Sequence, residues 1–126
     1  MFKYLNSYQC FSLRNNDLLE IRLSPHLVGE GELMKEYSEK LNFPEYFGHN
    51  WDALWDCMCD LSWINEHNLI IIHSDLPLLD EKALKIYVNI LEDFQVRWDK
   101  RGDKSVEIYF NEENRQVINL IVSRSK

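Results

Sequence analysis

Three aspartates, Asp52, Asp56 and Asp60, recur at every fourth position in Asn50-Trp-Asp-Ala-Leu-Trp-Asp-Cys-Met-Cys-Asp60. On a helix, at about 100° per residue, this spacing stacks them in one stripe. Three chemistries come into question. Asp52 and Asp56 could act as an acid–base pair. His49, Cys57 and Cys59 could add metal ligands. The stripe could also be a surface that pairs with cations. The metal reading fails on geometry: thiols at Cys57 and Cys59 point about 200° apart on a helix and cannot share one zinc without unwinding it. Four glycines in the whole chain leave no room for a phosphate-binding glycine loop, and no nucleophile motif stands out. The chain is therefore expected to be neither an enzyme nor a carrier of metal or cofactor.

The surroundings favour a binding surface. Leu54, Met58 and Leu61 fall opposite the stripe and must face a core, with Cys57 close to them. Trp51 and Trp55 flank the acids on one edge. No Lys or Arg in this helix relieves like charges at i, i+4, a cost of a few tenths of a kcal/mol per pair. The charge anomaly is wider than the helix. Between Lys40 and Lys82 there is no basic residue, whereas Glu45, Asp52, Asp56, Asp60, Glu66, Asp75, Asp80 and Glu81 bring −8; the rest of the chain, with 13 acids and 14 bases, sums to +1. The net charge of −7 speaks against direct nucleic-acid binding, which needs a basic patch. Acids beside rigid aromatics have the composition of a protein-binding hot spot, and its natural partner is a cationic cleft.

The elements that must position this surface can be read in order. Residues 8–13 suggest a strand, Asn15-Asn16-Asp17 a turn, and Leu18 to Leu23 a second strand. Gly29 to Gly31 opens the next element. Leu33, Met34, Tyr37 and Leu41 line one face of a helix over 32–41. Residues 42–50 form a loop punctuated by Pro44 and Gly48, yet it holds Phe43, Tyr46 and Phe47. A loop so aromatic is packed or contacts a partner. Asn50 can N-cap the acidic helix, 51–61, with Asp52 favourable in its first turn. Leu69 to His73 is a continuous apolar run, the mark of a strand buried on both faces. Asp80 caps a long helix to about Lys100, striped by Leu84, Tyr87, Val88, Leu91, Phe94 and Trp98, and Arg101-Gly102-Asp103 stops it. Val106, Ile108 and Phe110 alternate as a strand. Residues 111–114 read as a turn and Val117 to Val122 as a final strand. Strands alternating with helices imply an α/β fold with a parallel sheet.

The length of 126 residues, with 45% hydrophobic and 13% aromatic residues, suits a single domain over 1–126 with its own core. The N-terminus lacks a signal-peptide apolar region. Three cysteines, Cys10, Cys57 and Cys59, make a poor disulfide framework and fit a reducing compartment. A cytoplasmic, monomeric protein away from membranes is expected.

Phe43-Pro-Glu-Tyr-Phe-Gly-His-Asn-Trp-Asp-Ala-Leu-Trp-Asp-Cys57 resembles the signature of the barstar family, intracellular inhibitors of barnase-type ribonucleases. Pro44, Tyr46, Gly48, Asn50, Asp52, Ala53, Leu54, Trp55, Asp56 and Cys57 match it. The resemblance extends by element order from residue 18 to 110. It implies a barstar-like α/β fold, a three-stranded parallel sheet covered by helices, to which this chain adds an N-terminal hairpin strand and a C-terminal strand. It also implies that the loop and second helix plug a ribonuclease active site. Asp56 would be the key carboxylate and Asp52 its partner one turn earlier. Tyr46, Phe47, Gly48, His49, Asn50, Trp51 and Trp55 would line the interface, with Asp60 at its margin. The sequence departs from the family at Phe47 (Tyr in barstar), His49 (an acid in barstar) and Trp51 (Leu in barstar). Trp63 stands two positions from an interface Trp of the family, and Glu92 or Asp93 corresponds to an acid of the long helix. The partner so implied is a basic ribonuclease of the barnase type, bound stoichiometrically; a regulatory or immunity module for another basic partner, such as an unrelated nuclease toxin, is the alternative.

Overall fold

A computed structural model describes residues 2–5, 17–45 and 48–124. Four strands form one sheet, β1 (Lys3–Leu5), β2 (Leu18–Leu23), β3 (Asn68–His73) and β4 (Ser105–Asn111), in the order β1-β4-β3-β2. Every neighbouring pair is parallel, with Ile21 opposite Ile71 and Ile71 opposite Ile108 at the centre. Among the described residues four helices accompany it: α1 (Gly29–Lys40), α2 (Trp51–Asp60), α3 (Glu81–Arg101) and α4 (Arg115–Arg124), the last preceded by a 3-10 turn over Glu112–Asn114.

The central strand accounts for the layering. In β3, Leu69 and Ile71 join the large core under the helices, while Ile70 and Ile72 pack with Tyr109, Leu5 and Leu18 on the other face. A continuous apolar run is what burial on both faces demands. The outer strand β2 instead alternates: Ile21 and Leu23 are buried, and Glu20 and Arg22 are exposed and paired at 3.4 Å. Helix α3 is bounded as its sequence suggests. Asp80 accepts a hydrogen bond from the Ala83 N–H at 2.7 Å. At the other end Gly102 takes a left-handed turn, φ 78°, and its N–H closes on the Trp98 carbonyl. That conformation is nearly free for glycine. The stripe of Tyr87, Val88, Leu91, Phe94 and Trp98 is fully covered.

Two expectations are corrected. Helix α1 begins at Gly29, not at residue 32. The Glu32 carboxylate accepts from the Val28 N–H at 3.1 Å, and the Gly29 N–H bonds to the Leu78 carbonyl. The first turn is thus anchored despite its glycines. The segment read as a final strand, Val117 to Val122, is helical, within α4. Ile118 and Ile121 are buried at helical spacing, with Val122 beside them. A short apolar run cannot be told from a buried helix by periodicity, and the edge beside β4 is already filled by β1, with Tyr4 opposite Phe110. The N-terminal residues add a parallel edge strand at Lys3–Leu5, a segment for which the sequence raised no expectation. The strand expected over 8–13 and Asn15 and Asn16 of the turn lie outside the described residues. Among the described residues no helix is long and apolar enough to cross a membrane.

Candidate functional site

Helix α2 is built to hold its polar face outward. Leu54, Cys57 and Met58 are buried, and Leu61, just past the helix, is buried too. Asp52, Asp56 and Asp60 are exposed. Among the described residues none of the three enters an ion pair; the pairs lie elsewhere, for example Lys3–Glu107, Lys85–Glu81 and Arg115–Glu112.

The entry to the helix is tightly specified. Asn50 is the N-cap, its side-chain oxygen accepting from the Ala53 N–H at 2.8 Å and its amide donating to the Gly48 carbonyl at 3.3 Å. A Cβ on Gly48 would sit 3.3 Å from that amide nitrogen and 3.7 Å from the Ala53 side chain. Glycine therefore lets the loop turn close against the cap. His49, between them, is left-handed at φ 54°, a region where histidine is tolerated better than most residues. His49 and Asn50 are exposed. Tyr46 and Phe47 lie outside the described residues. Phe43 is buried, and it anchors the start of the loop against Trp63, edge to face at 6.0 Å. The Trp63 indole N–H donates to the Leu41 carbonyl at 2.8 Å.

The two tryptophans of α2 are less free than their sequence positions suggest. Trp51 and Trp55 are half-buried against the core, and Trp51 leans on Tyr87 of α3, ring centroids 6.2 Å apart. The far end of α2 is different. Leu61 ends it in a left-handed conformation, φ 48°, with its N–H on the Cys57 carbonyl. There α3 supplies two donors, the Trp98 indole to the Met58 carbonyl at 2.8 Å and Arg101 to the Cys59 carbonyl at 3.2 Å. Arg97 and Arg101 are near enough to act on the Cys59 thiol. Basic groups of α3 thus lie beside the C-terminal end of α2.

The thiols do not add a nucleophile. Burial first, then Asp56 and Asp60, pushes the Cys57 thiol up; burial outweighs Arg97 at Cys59, which is also raised. A reactive cysteine needs the opposite environment. Among the described residues no group of three or more His, Cys, Asp or Glu is disposed around a metal position. On α3, Glu92 lines a cleft with Phe2, Tyr4 and Arg115, away from α2. Asp93 is exposed and one turn from Arg97, on the flank that meets α2.

A family model described as "Barstar (barnase inhibitor)" matches residues 18–110. The chain belongs to the barstar family. The matched span begins at β2 and ends in β4, so β1 and α4 lie outside the barstar core. A protein of Bacillus subtilis (strain 168) named "Putative ribonuclease inhibitor YrdF" is 46% identical over 33 residues, 26% of this chain and 34% of that relative. The match thus spans about a third of the relative's length.

Sequence reasoning passed over one buried polar group that packs against Tyr87, the residue on which Trp51 of α2 leans. His73, at the end of the apolar run of β3, is buried together with Tyr87 and Tyr37 and hydrogen-bonded to Tyr87. The available signal was a histidine closing a strand that is otherwise Leu and Ile. A polar ring there must find partners inside.

Proposed function

We propose that this protein is an inhibitor that binds a basic, barnase-type ribonuclease one to one and blocks its active site with α2 and the loop before it. The observation that carries this reading is the row of exposed, unpaired aspartates on an N-capped helix inside the barstar core. A ribonuclease stabilises negative charge on a phosphorane-like transition state with Arg, Lys and protonated His. A carboxylate already held on a rigid helix takes the place of substrate phosphate and pairs with Arg in bidentate fashion. Asp56 is the central group and Asp52 its neighbour. Trp55, Gly48, His49, Asn50 and Trp51, with Tyr46 and Phe47, shape the surrounding contact, and Asp60 lies at the rim. Asp93 is better placed than Glu92 to join it. The protein carries no catalysis of its own in this reading. It works in the cytoplasm as one unit of residues 1–126.

The test is titration of a barnase-type ribonuclease with the purified protein. Cleavage should be suppressed at equimolar inhibitor. Asp56→Ala should weaken binding by about a hundredfold or more, the cost of leaving a buried cation unpaired. Asp52→Ala should cost less, and Asp60→Ala should change mainly the association rate. Full inhibition by the Asp52→Ala, Asp56→Ala double variant would remove α2 from the interface. His49, where barstar has an acid, favours a partner that differs from barnase; an unrelated basic nuclease toxin is the second reading. A panel of nuclease toxins separates the two.

A further inference from the structure

Helix α2 is held differently at its two ends. Its C-terminal half is pinned by the Trp98 and Arg101 donors of α3. Its N-terminal half, which carries Asp52, receives no such bond from α3 among the described residues; there Trp51 rests on the ring of Tyr87. That ring belongs to a buried row of polar groups. The Tyr37 and Tyr87 hydroxyls are 2.5 Å apart, the Tyr87 hydroxyl is 2.5 Å from His73 Nε2, and His73 Nδ1 is 2.9 Å from the Tyr109 carbonyl.

The donors in this row follow from chemistry. A carbonyl only accepts, so Nδ1 carries the proton. A buried imidazole is neutral, so Nε2 is bare and accepts from the Tyr87 hydroxyl. Having given its single proton, that hydroxyl accepts from Tyr37. Each group has one orientation, and the row ties α1, α3, β3 and β4 together. His73 is further fixed by stacking on Phe110, centroids 4.2 Å apart at 18°.

We infer that the Tyr37–Tyr87–His73 row is a positioning device: it fixes the Tyr87 ring against Trp51 and so sets how the first turn of α2 presents Asp52. Tyr87 and His73 are then positioning residues for binding that touch no partner. Only this functional consequence rests on the reading of α2 as the inhibitory helix; the local effect does not.

Amide hydrogen exchange on the free protein tests it. Tyr87→Phe keeps the ring but deletes both hydroxyl bonds. The Ala53 and Leu54 amides, which close the first turn on Asn50, should exchange about tenfold faster relative to the Leu61 amide at the other end. Ile118→Val, a destabilising change in α4, should leave that ratio unchanged. Tyr87→Phe that speeds all amides together, or only the slowest sheet amides, overturns the inference. Trp51 gives a second route should Tyr87→Phe not fold: Trp51→Leu should loosen the same two amides, and Trp51→Phe should restore them. Equal exchange in both Trp51 variants also overturns it. Asp56→Ala leaves this ratio untouched while testing inhibition alone, so failure of one reading is not mistaken for failure of the other.

Discussion

At the scale of single residues, the protein combines exposed charges that are unpaired with a buried histidine that is fully paired. Burial holds the His73 imidazole down at about 4, from an ordinary 6.5, against the opposing pull of the Tyr109 carbonyl. The folded state therefore binds this proton less readily than the unfolded chain. Its contribution to stability is whole above pH 6.5 and drains away as pH falls toward 4, by about 3 kcal/mol in total. Urea unfolding between pH 7 and 4 checks this. The acid loss in the wild type should exceed that of His73→Leu by about this amount, although the variant starts less stable. Parallel pH curves for the two proteins would mean that His73 does not carry the effect. Asp52 and Asp56 need the opposite environment. In the proposed inhibitor they would act from an exposed position, with no ion pair to either among the described residues.

At the scale of elements, α2 is a platform whose ends are made by two short-range devices. Asn50 caps the start and the left-handed Leu61 closes the end. A non-glycine residue in that conformation is strained by roughly 1 kcal/mol or more, and full burial of the Leu61 side chain offsets it. Asn50→Ala should lower global stability by about 1 kcal/mol, read from the denaturant midpoint. It should also weaken ribonuclease binding beyond that figure, because the cap orients the turn bearing Asp52. Binding that falls only in step with stability would assign Asn50 a purely structural role. The other helix limits show how far local signals reach. Asp80 and Gly102 bound α3 as their residue types suggest. The bounds of α1 depended on Leu78, 49 positions from Gly29 in sequence, whose carbonyl accepts the Gly29 N–H.

At the scale of the whole molecule, charge is unevenly distributed along the chain. The stretch between Lys40 and Lys82, at −8, contains α2, while the remainder is close to neutral. In the proposed function this concentration of negative charge would steer a basic partner toward the protein. The association rate with a basic ribonuclease should drop roughly tenfold or more between about 10 and 300 mM salt as the Debye length shortens, while dissociation changes far less. Stopped-flow measurement decides it, and a salt-independent association rate would detach the acidic stretch from recognition. The terminal additions β1 and α4 sit on the other side of α3 from α2. There they bury Phe2, Ile118 and Ile121, extending the core without covering the acidic face.

What the sequence determined by itself was local. The i, i+4 aspartates, the Asn50 and Asp80 caps and the apolar run of β3 each rest on neighbours a few residues apart, and each is found as read. The motif over residues 43–57 likewise pointed to the barstar family. Only the tertiary structure decided the rest. The residues 117–122 became a helix because β1 holds the sheet edge and α3 offers a groove. Trp51 and Trp55 turned half inward to pack on the core, Trp51 against Tyr87 of α3. His73, Tyr87 and Tyr37, from three distant segments, met in one row of hydrogen bonds because burial leaves a polar group no partner but another one brought to it by the fold.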